Sequence, residues 1–345
     1  MIFDVFRIFD LHSTGDQFQN ILVLNFGQLG DVILSLPALK ALRRKFPAAH
    51  IAVVTGKVPD QVVRLSGLAD EVITVDRVEL RDGPKLRSIG KIFKFIGEIR
   101  RRPIDLVIDL HSLSETNLLA FLSKAKHRLL ANRESRSLDS LSNFRPSPPK
   151  EDKAKHLGDR YLDVLRPLGI DDADREFRFT LSQPDAEYVE HNFFADGEPP
   201  TIGLFPGAGH PSRCWRLENF AELAARFVDD GLRPAVFVGP EEMGMRERVI
   251  SDFPAATVVI DGLTISQFIA ATARLEAFVT NDTGPMHLAA CAGAPILLLI
   301  DERAPTTYLP LTERIEIVRN QTIDRIVVGD VYDAAKSLLG QKREC

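Results

Sequence analysis

The chain alternates short, almost wholly apolar runs with longer stretches in which apolar residues recur every three or four positions. Ile21–Phe26 and Ile51–Thr55 are runs of the first kind, while Asp31–Lys45 between them has the helical period and stops at Phe46-Pro47. Strand, helix and strand in quick succession make a βαβ unit, which implies parallel pairing. Glu71–Val75 and Leu106–Leu110 read as further strands. Lys85–Arg102 predicts an amphipathic helix, with Leu86, Ile89, Ile92, Phe93, Ile96 and Ile99 on one face and Lys85, Arg87, Lys91, Lys94 and Arg100–Arg102 supplying charge. That charged face reads either as the solvated side of a crossover helix or as a surface for anionic lipid or a phosphorylated acceptor.

The same alternation restarts after residue 200. Thr201–Phe205, Pro234–Val238, Thr257–Ile260, Ala277–Thr280 and Pro295–Ile300 read as strands. Asn219–Asp229, Glu241–Asp252, Ile265–Ala273 and Met286–Ala292 read as helices between them. Two such runs predict an α/β protein of two doubly wound domains, whose ligands bind beyond the carboxyl ends of the strands. Pro- and Gly-containing residues 182–200 suggest a linker, so the expected domains are residues 1–185, with residues 1–20 as an extension, and residues 186–345. Residues 134–155, rich in Ser, Pro and Lys, read as a loop.

A length of 345 residues suits two domains, and 45% hydrophobic residues suits a globular chain. The net charge of −5 is unevenly spread. Residues 1–180 carry 29 Lys and Arg against 24 Asp and Glu, whereas the remainder carries 14 against 24. A basic half joined to an acidic half suggests different ligands for each, although surface drift would produce the same split. The cysteines, Cys214, Cys291 and Cys345, are too few and too scattered for a disulfide framework, and they fit a reducing compartment. Asp4, Arg7 and Asp10 interrupt any signal-peptide core, and no apolar run is long enough to span a membrane. The expected location is therefore cytoplasmic. Phe3, Phe6 and Phe9 recur at helical spacing, for packing on the protein or for contact with a membrane surface.

Three loops, each directly after a strand, carry candidate chemistry. In FGQLGDVILSLP (Phe26–Pro37) two glycines permit a tight turn, and Asp31 lands at a helix start. There it can cap the helix or act as a general base. In FPGAGHPSRCWRLENFAELA (Phe205–Ala224) a Gly-rich backbone precedes Ser212 and Arg213, a combination suited to phosphate oxygens or, read plainly, an exposed turn. In TNDTGPMHLAACAGAP (Thr280–Pro295), Asp282, Thr283 and Gly284 open a helix whose unpaired amides form an anion site. His287, one turn in, faces that ligand or serves the structure. The chain contains no Walker loop, no Gly-x-Gly-x-x-Gly after the first strand and no His-Glu-x-x-His, and none of these three loops carries an Asp-x-Asp pair. Charge on a diphosphate would then be met by backbone amides, Arg213 and the helix dipole.

Taken in order, LGDVILSLPALKALRRKFP, DLVIDLHS, PGAGHPSRCWRLENFAELA, VGPEE and TNDTGPMHLAACAGAP resemble glycosyltransferase family 9, the ADP-heptose:lipopolysaccharide heptosyltransferases. The likeness runs over roughly residues 20–340. It implies a GT-B fold of two facing Rossmann-like domains with a cleft between them, the N-terminal one for the acceptor and the C-terminal one for the nucleotide sugar. It implies an inverting, metal-independent transfer of heptose from ADP-heptose to a lipopolysaccharide core or related lipid-linked acceptor, with no cofactor. In that pattern Asp31 matches the general base, Thr283 and Gly284 match the diphosphate cradle, and Asp282 matches the residue at the donor sugar. His287 matches the helix histidine, and Glu242 matches the ribose-binding residue. Arg213 stands where the family often has Lys, which keeps the charge and adds a bidentate fork. Ser212 and Arg213 would meet the departing diphosphate. The implied partners are the nucleotide sugar and a phosphorylated saccharide lipid, with peripheral contact at the cytoplasmic face of the inner membrane and no nucleic acid. An inactive nucleotide-sugar-binding homologue and a nucleotide-sugar epimerase share the same fold and stand as the alternatives.

Overall fold

The computed structural model describes residues 18–76, 85–133, 138–171, 174–194 and 199–340. Phe3, Phe6 and Phe9 lie outside them, as do the side chains of Leu86 and Ile89. The chain forms two compact units. The first joins the segment ending at Gln28 to Ser35–Arg175, and the second joins α1 (Leu29–Leu34) to the chain from Glu176 onward. This grouping differs from a single cut at residue 185, because one short helix near the start belongs with the second unit.

The first unit holds five parallel strands, β1 (Asn20–Leu24), β2 (His50–Gly56), β3 (Glu71–Val75), β4 (Leu106–Asp109) and β5 (His127–Leu130), in the order β3-β2-β1-β4-β5. Its helices are α2 (Leu36–Lys45), α3 (Lys57–Ser66), α4 (Lys85–Arg100), α5 (Ser114–Leu122) and α6 (Leu157–Leu165). The helix predicted over Asp31–Lys45 is in fact two, α1 and α2, meeting at Ser35. Pro37 supplies the cause: without an N–H it cannot bond back to the carbonyl one turn earlier, and its ring crowds that carbonyl. The single apolar face expected of α4 is also divided. Ile96 and Ile99 are buried, with Ile96 packed among Leu22, Val107 and Leu119, but Ile92 is 41% and Phe93 70% exposed.

The second unit is a six-stranded parallel sheet of β6 (Thr201–Phe205), β7 (Arg233–Val238), β8 (Val258–Asp261), β9 (Ala277–Asn281), β10 (Ile296–Asp301) and β11 (Ile315–Asn320). The strand order is β11-β10-β9-β6-β7-β8. Around it lie α7 (Gln183–Phe193), α8 (Leu217–Asp229), α9 (Arg246–Asp252), α10 (Ile265–Thr272), α11 (Gly284–Ala292) and α12 (Val328–Gly340). Alternation along the strands builds a core on each face. Ile202, Leu204, Val236, Val238, Ala277 and Val279 meet Phe220, Phe227 and Leu338 on one side. Ala235, Phe237, Phe278, Leu298 and Ile300 meet Ala270, Met286 and Ala290 on the other. Each fully buried Phe or Leu contributes roughly 1.5–3 kcal/mol. The stretch expected as a linker is largely α7. Pro184 falls in its first turn, where no backbone donor is lost, and Val189 and Phe194 are buried in the second core.

Asp109, at the end of β4, is fully buried. Ser112 N donates to its Oδ1 at 2.7 Å, and Asn117 Nδ2 donates to its Oδ2 at 2.7 Å. Burial pushes its carboxyl up to about 6, opposed by hydrogen bonds from Thr116, Ser112 and Asn117 and by the charge of Arg133. The folded chain thus holds this proton more tightly than the unfolded chain does. Stability should fall as pH rises from the ordinary value of 3.8 to about 6 and then level off. Asp109→Asn cannot ionise. In denaturant titrations across that interval the gap between wild type and variant should change by on the order of 3 kcal/mol. Parallel pH profiles would show that Asp109 does not titrate there.

Candidate active site

In the second unit the strand order reverses between β9 and β6, the switch point at which doubly wound sheets open a crevice for ligands. The loop after β6 carries Ser212 and Arg213, and the loop after β9 carries Asp282, Thr283 and Gly284, so both candidate loops flank that opening. Asn281 ties them together. Its Nδ2 donates to the carbonyls of Pro206 at 2.9 Å and Gly207 at 3.2 Å, and its Oδ1 accepts from Trp215 N at 3.0 Å. The buried Trp215 indole adds a 3.0 Å bond from Nε1 to the Ile326 carbonyl.

With its flanks held, the Pro211–Arg213 turn projects Arg213 towards Asp282, Nη1 to Oδ2 at 3.2 Å. The Arg213 side chain is 59% exposed, so this pair is a weak, replaceable contact rather than a structural clamp. Burial raises the Asp282 carboxyl above the usual range, and the Arg213 charge opposes that rise. Ser212 Oγ lies 2.8 Å from His210 Nδ1, which also accepts from Ser212 N. Ser212, Arg213 and Asp282 share a pocket of about 320 Å³.

Thr283 is the N-cap of α11, in extended backbone, and its side chain makes no capping bond. Its hydroxyl is therefore not used at the helix start, where the first amides of α11 favour an anion. His287 is 5% exposed. A Cβ placed on Gly30 would come within 2.9 Å of its Cδ2, and a Cβ on Gly284 within 2.9 Å of Leu29 Cδ2. Each glycine thus makes room for a side chain of the other helix, Gly30 for the His287 imidazole and Gly284 for Leu29. Gly27 and Gly30 were expected to serve a tight turn, but neither has positive φ. Gly30 lies inside α1, where it makes room for the imidazole. Asp31 follows it in the first turn of α1, inside the helix rather than ahead of it, next to the Leu29 and Gly30 positions that meet Gly284 and His287 of α11.

Glu242 is 9% exposed and lies against Gly207 and Gly239, at the ends of β6 and β7. Its carboxylate occupies the space that a side chain at either glycine would need. Burial, then the neighbouring Glu241, pushes its carboxyl up. The helix predicted over Glu241–Asp252 begins only at Arg246, after a short turn over Met243–Met245. Among the described residues no group of three or more His, Cys, Asp or Glu could hold a metal ion.

The sequence profile of glycosyltransferase family 9 (heptosyltransferase) matches residues 92–328. The chain belongs to this family. Lipooligosaccharide heptosyltransferase 2 of Haemophilus influenzae is 24% identical over 320 residues, covering 87% of this chain and 88% of that relative. Lipopolysaccharide heptosyltransferase 2 of Escherichia coli is 24% identical over 312 residues, 87% of each. Among solved structures, a family 9 glycosyl transferase from Veillonella parvula is similar with a TM-score of 0.81 at 25% identity, covering 94% of this chain and 98% of that one. ADP-heptose lps heptosyltransferase II of E. coli is similar with a TM-score of 0.78 at 21% identity, covering 93% and 99%. These likenesses fit a GT-B fold built of two parallel-sheet α/β units, and the chain is a glycosyltransferase.

The sequence of this family 9 glycosyltransferase does not by itself single out Asn281, Asp301 or Arg303. Asn281 is a position where an apolar β9 run ends in an amide, and that change was the only available signal. Replacing it with Ala strands the Trp215 N–H and two carbonyls without partners. Asn281→Ala should cost about 2–4 kcal/mol in denaturant unfolding, followed by the fluorescence of Trp215, the sole tryptophan of the chain. A loss below about 0.5 kcal/mol would mean that the loops are held by other contacts.

Proposed function

We propose that this glycosyltransferase moves heptose from ADP-heptose to a lipopolysaccharide core or related lipid-linked acceptor, inverting the anomeric centre without a metal, with Asp31 as general base. The observation that carries the reading is the contact of α1 with α11 inside the second unit, which brings the Asp31 segment to the helix end that opens with Thr283. The named activities of the relatives supply the sugar and the acceptor class.

The donor diphosphate docks on the α11 amides, with the Thr283 hydroxyl, free of capping duty, turned to its oxygens. Glu242 accepts hydrogen bonds from the ribose at the ends of β6 and β7. Asp282 accepts from a hydroxyl of the donor sugar. The acceptor hydroxyl loses its proton to Asp31 as its oxygen attacks the anomeric carbon and the bond to the diphosphate breaks. Arg213, Ser212 and the α11 amides stabilise the charge that builds on the departing diphosphate. Arg213 exchanges its weak pairing with Asp282 for phosphate oxygens, to which its fork is better matched. His287, packed on Gly30, keeps α1 at its distance from the helix end.

The acceptor is taken by the first unit, whose sequence is net basic. Lys91 and Lys94 on α4 flank the exposed Ile92 and Phe93, a surface suited to anionic lipid at the inner membrane. No helix among the described residues is long and apolar enough to cross a membrane.

Asp31→Ala and Asp31→Asn should lower kcat for transfer from ADP-heptose to a heptose-deficient core acceptor by about 10²–10⁴-fold. The Kd for ADP should stay within about twofold, and chelator should leave the wild-type rate unchanged. Native turnover by either variant would reduce Asp31 to a residue of the helix start.

A further inference from the structure

The pocket lined by Arg213 and Asp282 has a second wall formed by Asp301 at the end of β10 and by Arg303 and Pro305 after it. That wall is highly organised. Asp301, whose side chain is 12% exposed, accepts from Arg303 N at 2.8 Å, Nη2 at 2.7 Å and Nε at 3.3 Å. One edge of the Arg303 guanidinium is thereby fixed, while the side chain remains 73% exposed. Nη1 has no hydrogen-bond acceptor among the described residues, so the fork has donors to spare.

The sheet order sets out the rest. The ends of β7, β6, β9 and β10 lie side by side. Glu242 sits at the ends of β7 and β6, the α11 amides follow β9, and Arg303 follows β10. A nucleotide sugar with ribose at Glu242 and diphosphate at Thr283 has only its sugar left to extend towards β10. The pocket there, about 320 Å³, is at the small end for ligand sites, of a size for one monosaccharide rather than a whole nucleotide sugar.

We propose that Arg303, oriented by Asp301, is a donor-specificity residue that hydrogen-bonds the hydroxyl oxygens of the transferred sugar. The inference rests on the nucleotide-sugar reading above and extends it to a side of the site that lies past the last of the motifs quoted from the sequence, which ends at Pro295. Asp282 on one wall accepts hydrogen bonds from sugar hydroxyls, and Arg303 on the other donates hydrogen bonds to sugar oxygens. A vicinal pair of hydroxyls matches its planar donors. Asp301 is the positioning residue, since it fixes the guanidinium without reaching the sugar itself.

Calorimetric titration with ADP and with ADP-heptose separates the sugar contribution from the nucleotide contribution. Arg303→Ala should weaken ADP-heptose by on the order of tenfold and leave ADP within about twofold. Arg303→Lys, which keeps the charge but loses the fork, should recover only part of that affinity. Asp301→Asn should shift the donor KM in the same direction as Arg303→Ala, with kcat nearly unchanged. Arg303 is exposed, and an unaltered melting temperature would verify that its variants fold. Equal weakening of ADP and ADP-heptose would overturn the proposal by assigning Arg303 to the diphosphate, and unchanged binding of both would overturn it outright. Wild-type protein that bound ADP-heptose no more tightly than ADP would sink the sugar contact alone, leaving the nucleotide reading intact. Wild-type protein that bound neither would end both.

Discussion

Asn281 closes β9 with an amide that has all its main partners on other segments: the carbonyls of Pro206 and Gly207 and the N–H of Trp215. These bonds fix the loop after β6, which carries Ser212 and Arg213, against the loop after β9, which carries Asp282 and Thr283. The need for such a tie follows from the sheet. A parallel sheet with a core on each face leaves its carboxyl strand ends as the place where polar side chains can gather, and the connections that leave those ends have few ladder bonds of their own. An amide at the last position of a central strand can hold two such connections at once.

The site then depends on close approach more than on turn shape. Gly30 and Gly284 let two helices touch, and Gly207 and Gly239 make room for one buried carboxylate. Glu242 and Asp282 both have carboxyls raised by burial, yet only Asp282 has a cation beside it. The two acids therefore suit different work. Glu242 is a settled acceptor in a narrow slot, and Asp282 has a partner that an incoming anion can draw away.

Much of this was legible in the sequence wherever information is local. Thr201–Phe205 is a strand over the residues expected, because a central parallel strand is a continuous apolar run bounded by turn residues, and the edge strand Glu71–Val75 matches through its Val and Ile residues. β5 and β11 are not legible in the same way. His127–Leu130 is only four residues long, and Ile315–Asn320 is a half-buried edge strand with a charged pattern. The supposed linker hid α7, since its prolines and glycine drew attention from the Val189 and Phe194 positions that fasten it. The candidate loops stood out because glycines, Asp31 and the Asp282–Gly284 run punctuate strand ends. Asn281 and the pairing of Asp301 with Arg303 did not, because what gives them a role is a partner or a pocket wall distant along the chain.

The chain crosses from the first compact unit into the second at Leu29, returns at Ser35, and crosses again near Glu176. The second unit is therefore discontinuous in the gene. A fragment excised from residue 176 onward would lack the six-residue insert that covers Gly284 and His287, and a fragment of the amino-terminal half would carry that insert with nothing to pack it against. The two halves are thus not interchangeable modules: a chimera that swapped one half between relatives would also exchange part of the other half's site.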